Sequence, residues 1–443
     1  MSVPEWQGWV ALGLLVVAFC TLGWWLLIAP IASGPRVALG RSSPGTRHLI
    51  AILVLISGAL FTIGARWDEM WHRIYGGFGD DFFWPPHLLM YAGLGLNLVF
   101  AVAGIGIGAI PRAASGASPT SGAGTIRERV RAEPAISLLG LTAAFQLASI
   151  PSDLIWHQII GPDLTAWSLP HVLLAATTST VLFAGVALSR ARRFELGWRT
   201  DALTIALLAT SQLALLQIGT TEWDWSTAAD RASGGILAGR PVWAYPAITV
   251  VIGIAHSVIA RMVTGRVGAA SAVAAVGVMV QAATVVIGRI QAPPGPSIVT
   301  AMAVAYGAVA MDLWWRYRRR FGPGVGFAVG NTHLTLPDLI AGTGAWIAGF
   351  SVLGLSGIGR QAGITAEDSG TWLLVFIAIM TGAITASFGG AFLGTWISRF
   401  AIGFIVNPIK PPAPRAVGVT SGMNPSRSDA PPTRSGRRST RRK

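Results

Sequence analysis

Asp68, His72 and His87 place a carboxylate and two imidazoles in one short stretch, with His87 directly after Pro86. Asp153, His157 and His171 repeat the pattern, with His171 directly after Pro170. Four of the chain's seven histidines belong to these two cassettes. Side chains at i and i+4 share one face of a helix, so each cassette offers an oxygen and a nitrogen from one helix end. A second nitrogen comes from the element after the proline. Two imidazoles and one carboxylate, with positions left open, suit copper, with iron or zinc as alternatives, and permit chemistry at the metal. The acids between, Asp80, Asp81 and Asp163, are expected to hold the imidazoles in one tautomer, as outer partners of metal ligands do. The chain has one cysteine, Cys20, which excludes an intrachain disulfide and a thiolate cluster.

The elements that must position these residues are membrane helices. The chain is 52% hydrophobic and 12% charged, a composition far from that of a soluble globular domain. Its apolar residues fall in eleven blocks: 9–31, 48–65, 87–110, 135–150, 171–188, 202–218, 245–263, 267–287, 297–315, 339–355 and 372–397. Most approach the ~20 residues that cross a bilayer, so the fold class is all-α, a polytopic transmembrane bundle of about eleven spans. Arginines then orient it. Arg36, Arg41 and Arg47, then Arg112 to Arg131, Arg190 to Arg199, Arg261 and Arg266, and Arg316 to Arg320 occupy every second connection. Basic connections stay in the cytoplasm. The expected topology is a multi-pass protein of the inner or plasma membrane with its N-terminus outside, both cassettes on the extracytoplasmic side, and its C-terminus in the cytoplasm.

Residues 1–406 read as the transmembrane domain, and 407–443, rich in Pro, Ser and Arg, as a disordered basic cytoplasmic tail drawn to anionic lipid. The positive-inside pattern accounts for the net charge of +14 without a nucleic-acid partner. The lipid bilayer is the expected partner, with other membrane subunits beside it. Met1 to Gly8 carries no basic residue, so the first span is expected to be a retained helix and not a cleaved signal.

The outer hairpins read as tandem repeats, at about 48–110, 135–193 and 202–266. In the third, Glu222-Trp223-Asp224-Trp225-Ser226 keeps the acid and tryptophan but has Ser for His, and Tyr245-Pro246-Ala247 keeps the proline but has Ala for His. Glu222 is thus a further candidate outer partner without an imidazole of its own. Within each full cassette, Gly76-Gly77 or Gly161-Pro162 stops the first helix and the later proline starts the next with His in its first turn. Trp67, Trp71, Trp84, Trp156 and Trp167 crowd the same level, as a membrane-interface belt does.

The spacing of Asp68, His72 and His87, and of Asp153, His157 and His171, resembles the Asp-x3-His followed a dozen residues later by His in the C subunit of particulate methane and ammonia monooxygenases. There the motif forms a copper site in membrane helices. The resemblance covers the two cassettes alone. This chain has the motif twice and sets the last His slightly farther away. What the resemblance implies is a copper-dependent membrane oxidoreductase, or a subunit of a monooxygenase-like complex, that oxidises a small substrate with electrons from quinol or a partner subunit.

Other chemistries compete. Haem ligation by paired histidines on one helix is disfavoured by Pro85, Pro86 and Pro170, because proline inside a helix costs ~3 kcal/mol. A transporter or structural membrane protein would use the Asp/His pairs for proton or ion relay or for ordering the loops. Polar residues elsewhere in the spans are few, chiefly His256, Gln281, Arg289 and Asp312. His256 reads as a packed side chain, and Pro337-Asp338 as a helix start.

Overall fold

The computed structural model describes residues 20–25 and isolated positions before them, then 42–75, 83–108, 130, 133–159, 166–190, 196–225, 236–237, 240–291, 296–318, 326–329, 332–362 and 369–402. Ten helices carry nearly all of this: α1 (Pro44–Tyr75), α2 (Pro85–Gly108), α3 (Pro134–Ile159), α4 (Leu169–Ser189), α5 (Trp198–Asp224), α6 (Ala244–Thr264), α7 (Ala269–Gln291), α8 (Val299–Arg318), α9 (Leu336–Ala362) and α10 (Ser369–Ile402). Two small antiparallel hairpins interrupt the series, Ile236–Leu237 with Arg240–Pro241 and Gly326–Val329 with Thr332–Thr335.

Each predicted span from the second to the eleventh falls on one of these helices. Eight of them, all but α3 and α8, are long and apolar enough to cross a membrane. The apolar run of α3 is shorter, Pro134–Leu147, and α8 carries Asp312, Arg316 and Arg318 in its second half. The chain is therefore an all-helical membrane bundle. Most of the first predicted span, and the tail from 407 onward, lie outside the described residues.

Local sequence sets the helix ends. Proline opens α1, α2 and α3 and occupies the first turn of α4, where its missing N–H costs no hydrogen bond. Gly265 ends α6 with φ 72°, a left-handed cap that returns its N–H to the Arg261 carbonyl. Ahead of α9, the Thr335 hydroxyl accepts from the Asp338 N–H at 3.1 Å and donates to the Asp338 carboxylate at 2.6 Å. The Pro337-Asp338 pair is thus a helix start, and Arg318 Nε donates to the same carboxylate at 2.9 Å.

α5 lies at the centre, against α1, α4, α6, α7 and α8. α6 joins two apolar cores, one built around Tyr245, Ile254 and Trp346, the other around Leu182, Leu207 and Ile259. The arginine-rich end of the bundle is tied by acids. Glu133 accepts from the Ser42 backbone N–H, from the Ser42 hydroxyl at 2.7 Å and from Arg47 at 2.8 Å. Asp201 takes both Arg190 and Arg266. Helix polarity puts these ties at the opposite end from the cassettes: Arg47 starts α1 and Asp68 lies near its end, while Arg190 follows α4 and His171 lies in its first turn.

Glycine brings α1 and α2 together. A Cβ at Gly64 would lie 2.7 Å from the Pro86 carbonyl oxygen and 2.8 Å from Met90 Cγ, and one at Gly93 would lie 2.7 Å from the Ser57 carbonyl oxygen. Gly64 is one turn before Asp68, and Pro86 immediately precedes His87. One of the two close approaches of the backbones is therefore where the carboxylate meets the imidazole of the next helix.

Candidate metal centre

The last turns of α1 present Asp68 and His72 on one face, and the first turn of α2 presents His87. Asp68 Oδ1 lies 3.4 Å from His72 Nε2 and 3.2 Å from His87 Nε2. The three potential ligand atoms are all within 4.8 Å of one another. Ligands bound at about 2.0–2.2 Å around one tetrahedral ion stand about 3.4 Å apart, so both carboxylate–imidazole edges have the span that a shared ion requires. The side chains are 18–24% exposed, shielded enough to be held in place and open enough for an ion to enter. The donor set, two nitrogens and a carboxylate oxygen, fits copper, iron or zinc alike. Asp68, His72 and His87 can thus hold a metal ion.

The second cassette is built the same way. Asp153 lies near the end of α3 and His171 in the first turn of α4, with Asp153 Oδ1 and His171 Nε2 3.6 Å apart. His157 is in α3 one turn after Asp153, and its side chain lies outside the described residues, as do Asp80, Asp81 and Asp163 altogether. The tertiary fold brings the two cassettes together: Asp68, His87, Asp153 and His171 all line one cleft of about 60 Å³, between apolar walls that include Phe61 and Met90.

Glu222, in the last turn of α5, is buried and accepts the Ala166 backbone N–H at 2.5 Å. Ala166 itself lines the cleft. Glu222 thereby holds Ala166, five residues ahead of His171, from α5. Glu69, Tyr91 and Gln217 also line the cleft. Sequence reading passed over these three. Gln217, a long amide inside an apolar block, was the one visible signal. Trp67 and Trp71 are exposed at the rim, and Trp71 packs on Trp84 with ring centroids 4.7 Å apart.

His256 belongs elsewhere. Its Nδ1–H donates to the Ile252 carbonyl oxygen at 2.9 Å, and its Nε2 accepts from the Ser211 hydroxyl at 2.9 Å. Both ring nitrogens are used: Nδ1 bonds one turn back on α6, and Nε2 ties α6 to α5. Asp312 is likewise engaged, accepting from the Ser271 N–H at 2.8 Å and the Ser271 hydroxyl at 2.7 Å.

Comparison with protein-family models, curated proteins and solved structures yields no match. Geometry and chemistry alone carry the functional reading.

Proposed function

We propose that this chain is a membrane metalloprotein whose cleft, on the extracytoplasmic side, binds a redox-active metal, copper in the first place. It works as an oxidoreductase or as a subunit of a copper-dependent, monooxygenase-like membrane complex. One observation carries the reading: a carboxylate and two imidazoles from two different helices bring their ligand atoms within 4.8 Å of one another at the end of apolar helices, where a cluster of ionisable groups is a functional signal. Asp68, His72 and His87 are the first ligand set. Asp153 and His171, joined by His157 of the same cassette, form a second set across the same cleft. Glu222 supports it through the Ala166 N–H, and Asp80, Asp81 and Asp163 complete the outer shell. A duplication of the hairpins would account for the two sets lining one cleft.

The metal, when bound, would supply redox and Lewis-acid chemistry at the open coordination positions. The chain's own residues do the rest. The Gly64–Pro86 contact fixes the spacing of Asp68 and His87, and the apolar wall of Phe61 and Met90 favours a small apolar substrate beside the ligands. Tyr91 lines the same space and brings a hydroxyl to it.

A proton- or ion-relay reading has one observation in its favour, a second pair of opposite charges, Arg66 and Asp224, on the wall of a cavity beside the cleft. The deciding experiment is elemental analysis of copper, iron and zinc in the purified protein, beside a variant lacking His72, His87, His157 and His171. Metal near stoichiometry in the wild type and its loss in a folded variant is the expected result. Absence of metal from both, after reloading with each ion, would move the weight to relay.

A further inference from the structure

Beside the cleft lies a partly open chamber of about 40 Å³, bordered by α1, α5, α7 and α8. Its wall holds one cation and one anion. Arg66 Nη1 donates to the Gln281 amide oxygen at 2.8 Å and to the Thr284 hydroxyl at 3.4 Å. The Gln281 amide is itself anchored, donating to the Ser297 carbonyl oxygen at 2.9 Å. Across the chamber Asp224 accepts from the Thr300 hydroxyl at 2.6 Å and from the Thr220 hydroxyl at 3.3 Å. Neutral partners thus hold Arg66 from α7 and Asp224 from α8 and from its own helix, and no ion pair joins Arg66 to Asp224 among the described residues.

That arrangement calls for an occupant with two unlike ends. Opposite charges attract strongly in a low-dielectric interior; here each is held by neutral partners, and both line one chamber of mixed polar and apolar walls. Two polar atoms are left over: Arg66 Nε, a donor, and Gln217 Oε1, an acceptor, are buried and without a hydrogen-bond partner among the described residues. Gln217 is only 7% exposed. A lone anion at Arg66 would face the Asp224 carboxylate, and a lone cation at Asp224 would face the guanidinium. A molecule carrying both charges satisfies both walls. At roughly 10–15 Å³ per water, the chamber holds about three waters, or a solute of about four or five non-hydrogen atoms.

We propose that this chamber binds a small zwitterion of the amino-acid type, with its carboxylate on Arg66 and its ammonium on Asp224. Gln217 takes a remaining ammonium proton. Because the Gln217 side chain lines both the chamber and the cleft, the bound zwitterion sits next to the Asp/His ligands. The site does not depend on whether those ligands hold a metal.

The test is equilibrium binding of radiolabelled glycine to the purified full-length protein in detergent, with acetate and methylammonium as competitors that each carry one half of its charge. Saturable glycine binding is expected, with each half-ligand weaker by about 10- to 100-fold, the value of one charge-assisted hydrogen bond. Asp224→Asn keeps the shape and the Thr300 contact and is expected to weaken glycine by a similar factor, with gel-filtration behaviour and thermal melting unchanged. Three results each overturn the proposal: no saturable glycine binding to the wild type, acetate as tight as glycine, or wild-type affinity in a folded Asp224→Asn protein. The competition arm uses wild-type protein, so it decides the matter even if the variant fails to fold.

Discussion

Replacing Asp68 with Asn removes one charge from the candidate metal centre and almost nothing else. The side chain keeps its shape at the end of α1, and an amide oxygen stays at the position that now lies 3.2 Å from His87 and 3.4 Å from His72. In the metal-bound protein that oxygen would sit about 2 Å from the ion. Even at the screening of bulk water, a unit charge at that distance from a dication is worth about 4 kcal/mol. The amide dipole recovers part of this, so affinity for a divalent ion is expected to fall by about 100-fold. Stability without metal should change little, because Asp68 is partly exposed and surface-level pairs contribute about 0–1 kcal/mol. The assay is competition with a chelator of known affinity, run on wild type and Asp68→Asn after stripping and reloading, with thermal melting of both apo-proteins alongside. Equal metal affinity in the two proteins would refute the assignment of Asp68 as a ligand. A large loss of apo-protein stability would instead assign the Asp68–His pairs to holding the hairpin together.

Gly64→Ala is expected to cost about 1–3 kcal/mol through overpacking against Pro86 and Met90 and to weaken metal binding by parting His87 from Asp68; Gly95→Ala, whose Cβ meets nothing within 4 Å, is the control that should keep both. Glu133→Ala strands Arg47 and Ser42 together and is expected to lower stability by about 3–5 kcal/mol, as loss of one partner of a buried pair does; an unchanged melting temperature in detergent would contradict this. For orientation, Phe83→Cys and Arg316→Cys in a Cys20→Ser background are each to be treated with a membrane-impermeant maleimide. Phe83 is 76% exposed at the cassette end, so labelling of intact cells is expected there, and at Arg316 only after permeabilisation; the reverse pattern would invert the topology.

How much of this was legible beforehand differs from element to element. The helices were, because a bilayer demands long apolar blocks and because proline and glycine mark their ends; the second to eleventh blocks each became a helix. The ligand pattern of the first cassette was also legible. Asp68 and His72 share a face by helical geometry alone, and Pro86-His87 sets a second imidazole in the first turn of the next helix. His256 was legible as packing, since a lone imidazole in mid-span finds partners within its own helix and on a neighbour, as it does in Ile252 and Ser211.

The chamber of Arg66 and Asp224 was not legible. Arg66 lies two residues before Asp68 and so faces a different side of α1, and its partners Gln281 and Thr284 are more than two hundred residues away. No local period links them. Glu222 could be named as an acid without imidazoles, but its use, the Ala166 N–H in the preceding hairpin, depends on how α5 packs beside the chain ahead of α4.

The amino-acid sequence by itself determined what is local: which segments lie in the membrane, where they start and stop, and which side chains within one cassette share a helix face. Tertiary structure alone decided that two cassettes some eighty residues apart line a single cleft, and that Gly64 lets α2 close on α1 at His87. The physical reason is that side-chain periodicity encodes the face of a helix but not its neighbour. Which helix lies against which is chosen by the fit of small residues, apolar surfaces and buried polar groups summed over the bundle, and none of those sums can be read from one segment.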